Sequence, residues 1–201
     1  MQLTIKTDFA GVETALKRLQ DDIGKRALAS AMNKTVDLAR TQMTREIAGE
    51  FNVTSGYVRE RLRVRRAAAK GLVLEAALIG GKGGRRRSAN IIAFVEKSVS
   101  LAQARKRAKA GTLDQLFVKV KRRGGKKPLR GAFIGNKGRT VFERVGKERL
   151  PIKPVQTIDV AQMFNTRKIN AAVVRMIRQR FPEVFEREAR FYVDRFNRGG
   201  K

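Results

Sequence analysis

The chain has 201 residues, of which 46 are Lys or Arg and 18 are Asp or Glu, giving a formal net charge of +28. Such a chain repels itself and favours an anionic partner, either nucleic acid or an acidic protein surface. With no Cys, His or Trp, it lacks a disulfide framework, a thiolate nucleophile, a Cys-based zinc site and the usual general base near neutral pH.

Residues 2 to 6, Gln-Leu-Thr-Ile-Lys, alternate polar and apolar and predict a short strand. Asp8 stands at a helix N-cap position. From Phe9 to about Ala48 apolar residues recur at helical spacing, through Val12, Leu16, Leu19, Ile23, Ala27, Ala31, Leu38 and Ile47. About forty residues at 1.5 Å each span about 60 Å, more than a compact domain of this length needs. Gly24, after Asp21 and Asp22, offers a point at which the run could divide into two helices. Two readings stay open: a helix that projects toward a neighbouring subunit, or one folded over a sheet. No apolar h-region opens the chain and no run reaches the length of a membrane span, so the expectation is a protein made and kept in a cytoplasm.

Gly49 closes the helical run, and Asn52-Val53-Thr54-Ser55 supplies a new cap. A short basic helix running into a strand follows, from Gly56 to Arg66, with Val58 and Leu62 on one face and Arg59, Arg61, Arg63, Arg65 and Arg66 around them. Such arginines are ordinarily a solvated face, and no second helix follows at helix-turn-helix spacing. Leu72 to Ile79 predicts a mostly buried strand. It ends in Gly80-Gly81-Lys82-Gly83-Gly84-Arg85-Arg86-Arg87-Ser88. A phosphate loop needs four spacers between its glycines and a Ser or Thr directly after the lysine, so this run reads instead as a flexible basic hairpin tip. Asn90 to Val95 reads as a strand, and Ser100 to Ala110 as a basic helix or loop.

From Leu116 to Val160 short apolar runs alternate with turn-formers. The runs are Phe117–Val120, Ala132–Ile134, Val141–Val145 and Ile152–Val160; the turns are Gly124-Gly125, Asn136-Lys137-Gly138 and Gly146-Lys147. This pattern predicts a small antiparallel sheet of hairpins. Between Leu116 and Leu150 twelve basic residues face only Glu143 and Glu148, so the tips should project and lie against something negative. Arg130-Gly131-Ala132-Phe133-Ile134-Gly135 faintly copies an RNA-binding signature but lacks its stacking aromatics, and Phe133 and Phe142 read as core residues on paired strands.

The C-terminal third is helical. Asn165 or Thr166 caps a segment carrying Ile169, Val173, Met176 and Ile177, and Pro182 is expected to break it and start a second helix, Glu183 to Phe196. Glu183 and Glu186 would then sit near the positive end of that helix. The expected fold is α+β: a long N-terminal helix, a small antiparallel sheet of hairpins, and a C-terminal helix pair broken at Pro182. The chain reads as one domain, with a helical arm over 1–49, a β-rich core with basic loops over 50–160 and helices over 161–201.

The central segment, Gly131-Ala132-Phe133-Ile134, a turn, Val141-Phe142-Glu143-Arg144-Val145 and then Leu150-Pro151-Ile152, resembles the minor tail protein Z family of tail-completion proteins from long-tailed bacteriophages. The long helix ending near Gly49, the basic segment Val58–Arg66 and a final helical region with a proline follow in the same order. The resemblance implies a structural virion protein that completes the head-proximal end of a tail and connects it to the head, near the DNA channel. It implies a ring, with a hexamer the leading expectation, contacting a tail terminator or tail-tube protein and a head-completion or adaptor protein. Arg85, Arg86, Arg87, Lys121, Arg122, Arg123, Lys126 and Lys127 are the candidate contacts to DNA, without sequence specificity, or to an acidic protein surface. Neither the residues nor the resemblance implies a cofactor, a metal, a catalytic residue or a membrane. The competing reading is a free nucleic-acid-binding protein, ribosome- or DNA-associated. An enzyme acting on nucleic acid is disfavoured because the acids are scattered rather than gathered for a metal.

Overall fold

A computed structural model describes residues 2–5, 21–69, 74–81, 88–95, 116–146 and 148–199. The expected cap at Asp8, the helical run over 9–20, the glycine-rich tip at 82–87 and the basic stretch over 100–110 lie outside the described residues. The chain forms two compact units, one from Met1–Ile47, Ser55–Gly83 and Val160–Lys201, the other from Ala48–Thr54 and Gly84–Asp159.

In the first unit, α1 (Asp21–Glu50) is one uninterrupted helix, its last turn falling within the second unit. Ala27, Leu28, Ala31, Met32, Val36, Ala39, Met43 and Ile47 form its buried stripe, at the three-and-four spacing that a core-facing helix requires. Each large side chain so buried contributes about 1.5–3 kcal/mol. The expected division at Gly24 does not occur: Gly24 is buried inside the helix. A helical glycine costs only about 1 kcal/mol relative to alanine, less than the packing around it returns. Over its first-unit residues α1 is folded into the core rather than projecting from it.

The basic segment is a short helix, α2 (Ser55–Arg59), leading into β2 (Leu62–Arg65). β2 and β1 (Gln2–Ile5) flank β3 (Ala76–Gly80) in an antiparallel sheet. Ala76, Ala77 and Leu78 are wholly buried, as a central strand covered on both faces must be. The strand expected from Leu72 begins, among the described residues, at Ala76. At its end a Cβ on Gly80 would lie 2.9 Å from the ring of Phe164, so only glycine lets α3 (Val160–Phe164) approach the strand this closely.

The last helix, α4 (Arg167–Gly199), corrects the expected helix pair: it continues through Pro182. Proline removes one backbone hydrogen bond and crowds the preceding turn. Here Pro182 and Arg178 are both exposed, so the carbonyl left without its donor lies on the solvent side, while Phe181, Val184 and Phe185 are buried around it. A carbonyl on that side is open to solvent, and the packing of Phe181, Val184 and Phe185 holds the helix together. Glu183 and Glu186 are therefore mid-helix residues, paired with Arg180 and Arg190 one turn away. The expected cap holds at Thr166, whose carbonyl accepts from Asn170 N at 2.9 Å.

The second unit carries antiparallel hairpins, as expected, in three small sheets. β4 (Ser88–Asn90) pairs with β10 (Gln156–Ile158), and β5 (Leu116–Val118) with β6 (Lys127–Leu129). β8 (Thr140–Arg144) lies between β7 (Ala132–Gly135) and β9 (Ile152–Pro154). Phe133 and Phe142 stand directly opposite and stack with ring centroids 6.0 Å apart. Residues 136–138 turn the chain, with Asn136, Lys137 and Gly138 all at positive φ.

The strand expected over Asn90–Val95 is instead a 3₁₀ turn, Ile91–Phe94, capped by Asn90. The Asn90 carboxamide accepts from Ile92 N and from Val141 N at 2.9 Å, and donates to the Val141 carbonyl at 3.1 Å. A short apolar run does not declare its period, and an asparagine at its start can outbid the ladder for the backbone.

Candidate functional site

In the second unit the chain from Lys119 to Lys126 connects β5 to β6, and Lys121, Arg122, Arg123, Lys126 and Lys127 are exposed on this connection and at the start of β6. The structure thus brings five of the eight anticipated basic residues together; Arg85, Arg86 and Arg87 lie outside the described residues. The connection is anchored at its base. Asn52 N donates to the Val120 carbonyl at 2.9 Å, Arg122 N donates to the Glu50 carbonyl at 3.0 Å, and Gly124 N closes a turn on the Lys121 carbonyl at 3.1 Å.

The five side chains are not equivalent. Arg122 donates its Nε–H to the carbonyl of Ala48 in the last turn of α1. Helix ends leave carbonyls without partners and carry partial negative charge, so a guanidinium there is a structural cap. Lys121 Nζ lies 3.7 Å from Glu50 Oε1, in a loose and largely exposed pair. Arg123 and Lys127 have no carboxylate partner among the described residues. Arg123 and Lys127 are thus the two of the five whose side chains no partner among the described residues engages. The cap escaped sequence reasoning because Ala48 and Arg122 are 74 residues apart and nothing local marks a helix end as needing a distant donor.

The first unit holds one buried carboxylate that sequence reasoning also missed. Glu188, on the inward face of α4 and 4% exposed, accepts from Ser30 Oγ at 2.8 Å and from Lys34 Nζ at 2.7 Å. Burial raises its proton affinity, but the hydrogen bonds from Lys34, Ser30 and Arg187 and the Lys34 charge outweigh that and hold the carboxyl below its ordinary range. Beside it lies an open groove of about 490 Å³, lined by Lys34, Asp37, Leu38, Arg180, Glu183, Val184 and Arg187. Residues 30–34 meet Glu188 while Asp37 and Leu38 share the groove with Arg180 and Val184, so α1 and α4 run antiparallel. The charges of this groove are all paired within the first unit: Lys34 and Arg187 with Glu188, Asp37 with Arg66, and Arg180 with Glu183.

Among the described residues no three carboxylates gather as a metal site, and no helix is long and apolar enough to cross a membrane. The chemistry on offer at the basic connection is ionic contact with phosphates or carboxylates.

No curated protein and no solved structure matches the chain. The sequence model of one family does, over residues 9–198, and that family is described as prophage minor tail protein Z (GPZ). The match takes in the first helix, both units and nearly all of α4. The chain belongs to the prophage minor tail protein Z family, whose members are structural components of phage tails.

Proposed function

We propose that this minor tail protein completes the head-proximal end of the tail and joins it to the head, beside the DNA channel. The observation that carries this reading is the family match over residues 9–198. The protein acts as a ring with the symmetry of the tail, a hexamer, between a tail terminator or tube protein on one side and a head-completion or adaptor protein on the other. It is assembled in the host cytoplasm and retained in the virion neck. The work is assembly and electrostatic docking rather than catalysis.

The net charge of +28 supports a position against anionic surfaces. The exposed connection carrying Arg123 and Lys127 supplies cations that no carboxylate among the described residues neutralises, suited to DNA phosphates or to an acidic neighbour.

The test is electron microscopy of particles made with this gene deleted from its parent phage or prophage. Filled heads beside separate or malformed tails, or joined particles that fail to inject, support the reading. Normal, infectious particles overturn it.

A further inference from the structure

From Val160 to Pro182 the chain contains five basic residues and no Asp or Glu. Four of them, Arg167, Lys168, Arg175 and Arg178, are exposed residues of α4. At 3.6 residues per turn these four fall within an arc of about 100°, and Ile169, Val173 and Ile177, which are buried, lie on the opposite side. The four cations lie between positions 167 and 178, eleven steps or roughly 16 Å along the helix.

This is not the ordinary laced surface of a solvated helix. Elsewhere in the first unit some exposed arginines are matched by acids: Arg26 with Asp22, Arg65 with Glu75, Arg66 with Asp37, Arg180 with Glu183 and Arg190 with Glu186. Those that are not, such as Arg45 and Arg63, lie on other elements or faces rather than in one acid-free row. Arg167, Lys168, Arg175 and Arg178 have no carboxylate partner among the described residues. Four like charges on one face repel one another, and the first acid of α4, Glu183, comes only after Pro182. Between Arg167 and Arg178 the one other residue within this arc is Ala171, and Gln179 and Pro182 follow beyond Arg178.

We propose that this face of α4 is a second, sequence-independent contact surface for the phosphate backbone of nucleic acid, separate from the β5–β6 connection. The choice between nucleic acid and an acidic protein rests on what the face lacks. Protein interfaces are anchored by buried aromatic or large apolar side chains in pockets, and this face offers none. A row of small residues and long cations is suited to phosphates, which need charge and reach but no pocket. Double-stranded DNA presents a charge about every 1.7 Å of its axis, so a row of roughly 16 Å can engage four phosphates without fixing a register. The surface is read from the first unit alone and does not depend on where the protein sits in the virion.

The experiment measures binding of the purified full chain to a fluorescent random-sequence 30-base-pair duplex by anisotropy, at salt concentrations from 50 to 300 mM. R167Q/K168Q/R175Q/R178Q is compared with R45Q/R63Q/R195Q/R198Q, which removes the same charge from exposed positions elsewhere in the unit. The expected result is a salt slope lower by about 3 to 4 and an affinity at least about tenfold weaker at 100 mM for the first variant, with a much smaller change for the second. Equal losses in both variants would reduce the effect to net charge and overturn the proposal. Unchanged DNA binding in the first variant, with lost binding to poly-glutamate, would reassign the face to acidic protein and also overturn it. R167K/R175K/R178K, which keeps every charge, should bind as the parent does. Its failure would show a structural role for the arginines and reject phosphate contact. Circular dichroism melts confirm that each variant is folded.

Discussion

Lys34 Nζ and Glu188 Oε1 lie 2.7 Å apart, joining the first long helix to the last across 154 residues of sequence. The carboxylate is buried and the lysine is half exposed, so the two partners should answer unequally to truncation. Removing the carboxylate leaves Lys34 with access to water, and what is lost is a charge-assisted pair together with the Ser30 hydrogen bond. Glu188→Ala should cost about 2–3 kcal/mol in urea unfolding. Lys34→Ala should cost at least as much as Glu188→Ala, since it strands the buried carboxylate with only Ser30 and the 3.4 Å Arg187 contact to compensate it.

The same carboxylate gives a pH dependence. Its folded-state value is lowered from the ordinary 4.5, so the unfolded chain binds the proton more readily. The stabilisation is fully present above about pH 4.5 and is lost as pH falls through the lower folded value. The urea midpoint of the parent should drop over that acid range, and Glu188→Gln should remove this component of the slope. A Glu188→Gln profile parallel to that of the parent would contradict the assignment.

Arg122 and Arg123 are neighbours with opposite duties. Arg122→Ala removes the donor to the Ala48 carbonyl and should destabilise by about 1 kcal/mol, with faster amide exchange in the last turn of α1. Arg123→Ala should leave the melting temperature unchanged, as surface substitutions away from such features usually do. If the connection meets an anion in the virion, R123E/K127E should reduce infectious titre while the isolated protein stays folded.

Gly80 and Phe164 fill one another's space. A methyl group at residue 80 would stand 2.9 Å from the Phe164 ring, and Gly80→Ala should cost about 1–3 kcal/mol through overpacking. A double-mutant cycle with Phe164→Leu should show coupling of at least about 0.5 kcal/mol, because the smaller side chain vacates the position the methyl needs. Additive losses would show that the ring is not what excludes the side chain.

Asn90 satisfies both backbone groups of Val141 and the amide of Ile92. Asn90→Ala should therefore cost about 2–3 kcal/mol, more than an ordinary surface polar residue. Asn90→Asp keeps the acceptor and loses only the donation to the Val141 carbonyl, so its loss should be smaller. Chemical denaturation of both variants distinguishes them.

The hairpins around Phe133 and Phe142 were legible because glycines and an Asn-Lys-Gly turn bracket short β-branched runs, and local chemistry of that kind travels with the sequence. The stripe of α1 was legible in Ala27, Ala31 and Ile47 for the same reason, since its period repeats over several turns. Leu38, expected on it, is 43% exposed because the buried face there is carried by Val36 and Ala39. Pro182 misled because a proline signals a break only where nothing else holds the helix; the flanking Phe181 and Phe185 do, and their burial is a tertiary fact. Gly24 misled likewise. Asn90 was passed over because its two largest contacts come from Val141, 51 residues away. Glu188 was passed over because an acid on an apolar stripe looks like a wheel imperfection until Ser30 and Lys34 are seen opposite. Of the candidate site, the clustering of Lys121 to Lys127 was legible from composition alone, whereas the diversion of Arg122 to a helix end was not.

The antiparallel pairing of α1 with α4 bears on synthesis. A ribosome delivers α1 early, with Met32, Val36 and Met43 already in register as a greasy stripe, but the helix that carries Glu188 emerges some 150 residues later. During that interval the rest of the chain between the two helices, including every segment of the second unit, is made before α4 can cover the stripe. Completion of the first unit thus waits for α4, and until then the stripe of α1 lacks one of the surfaces that cover it.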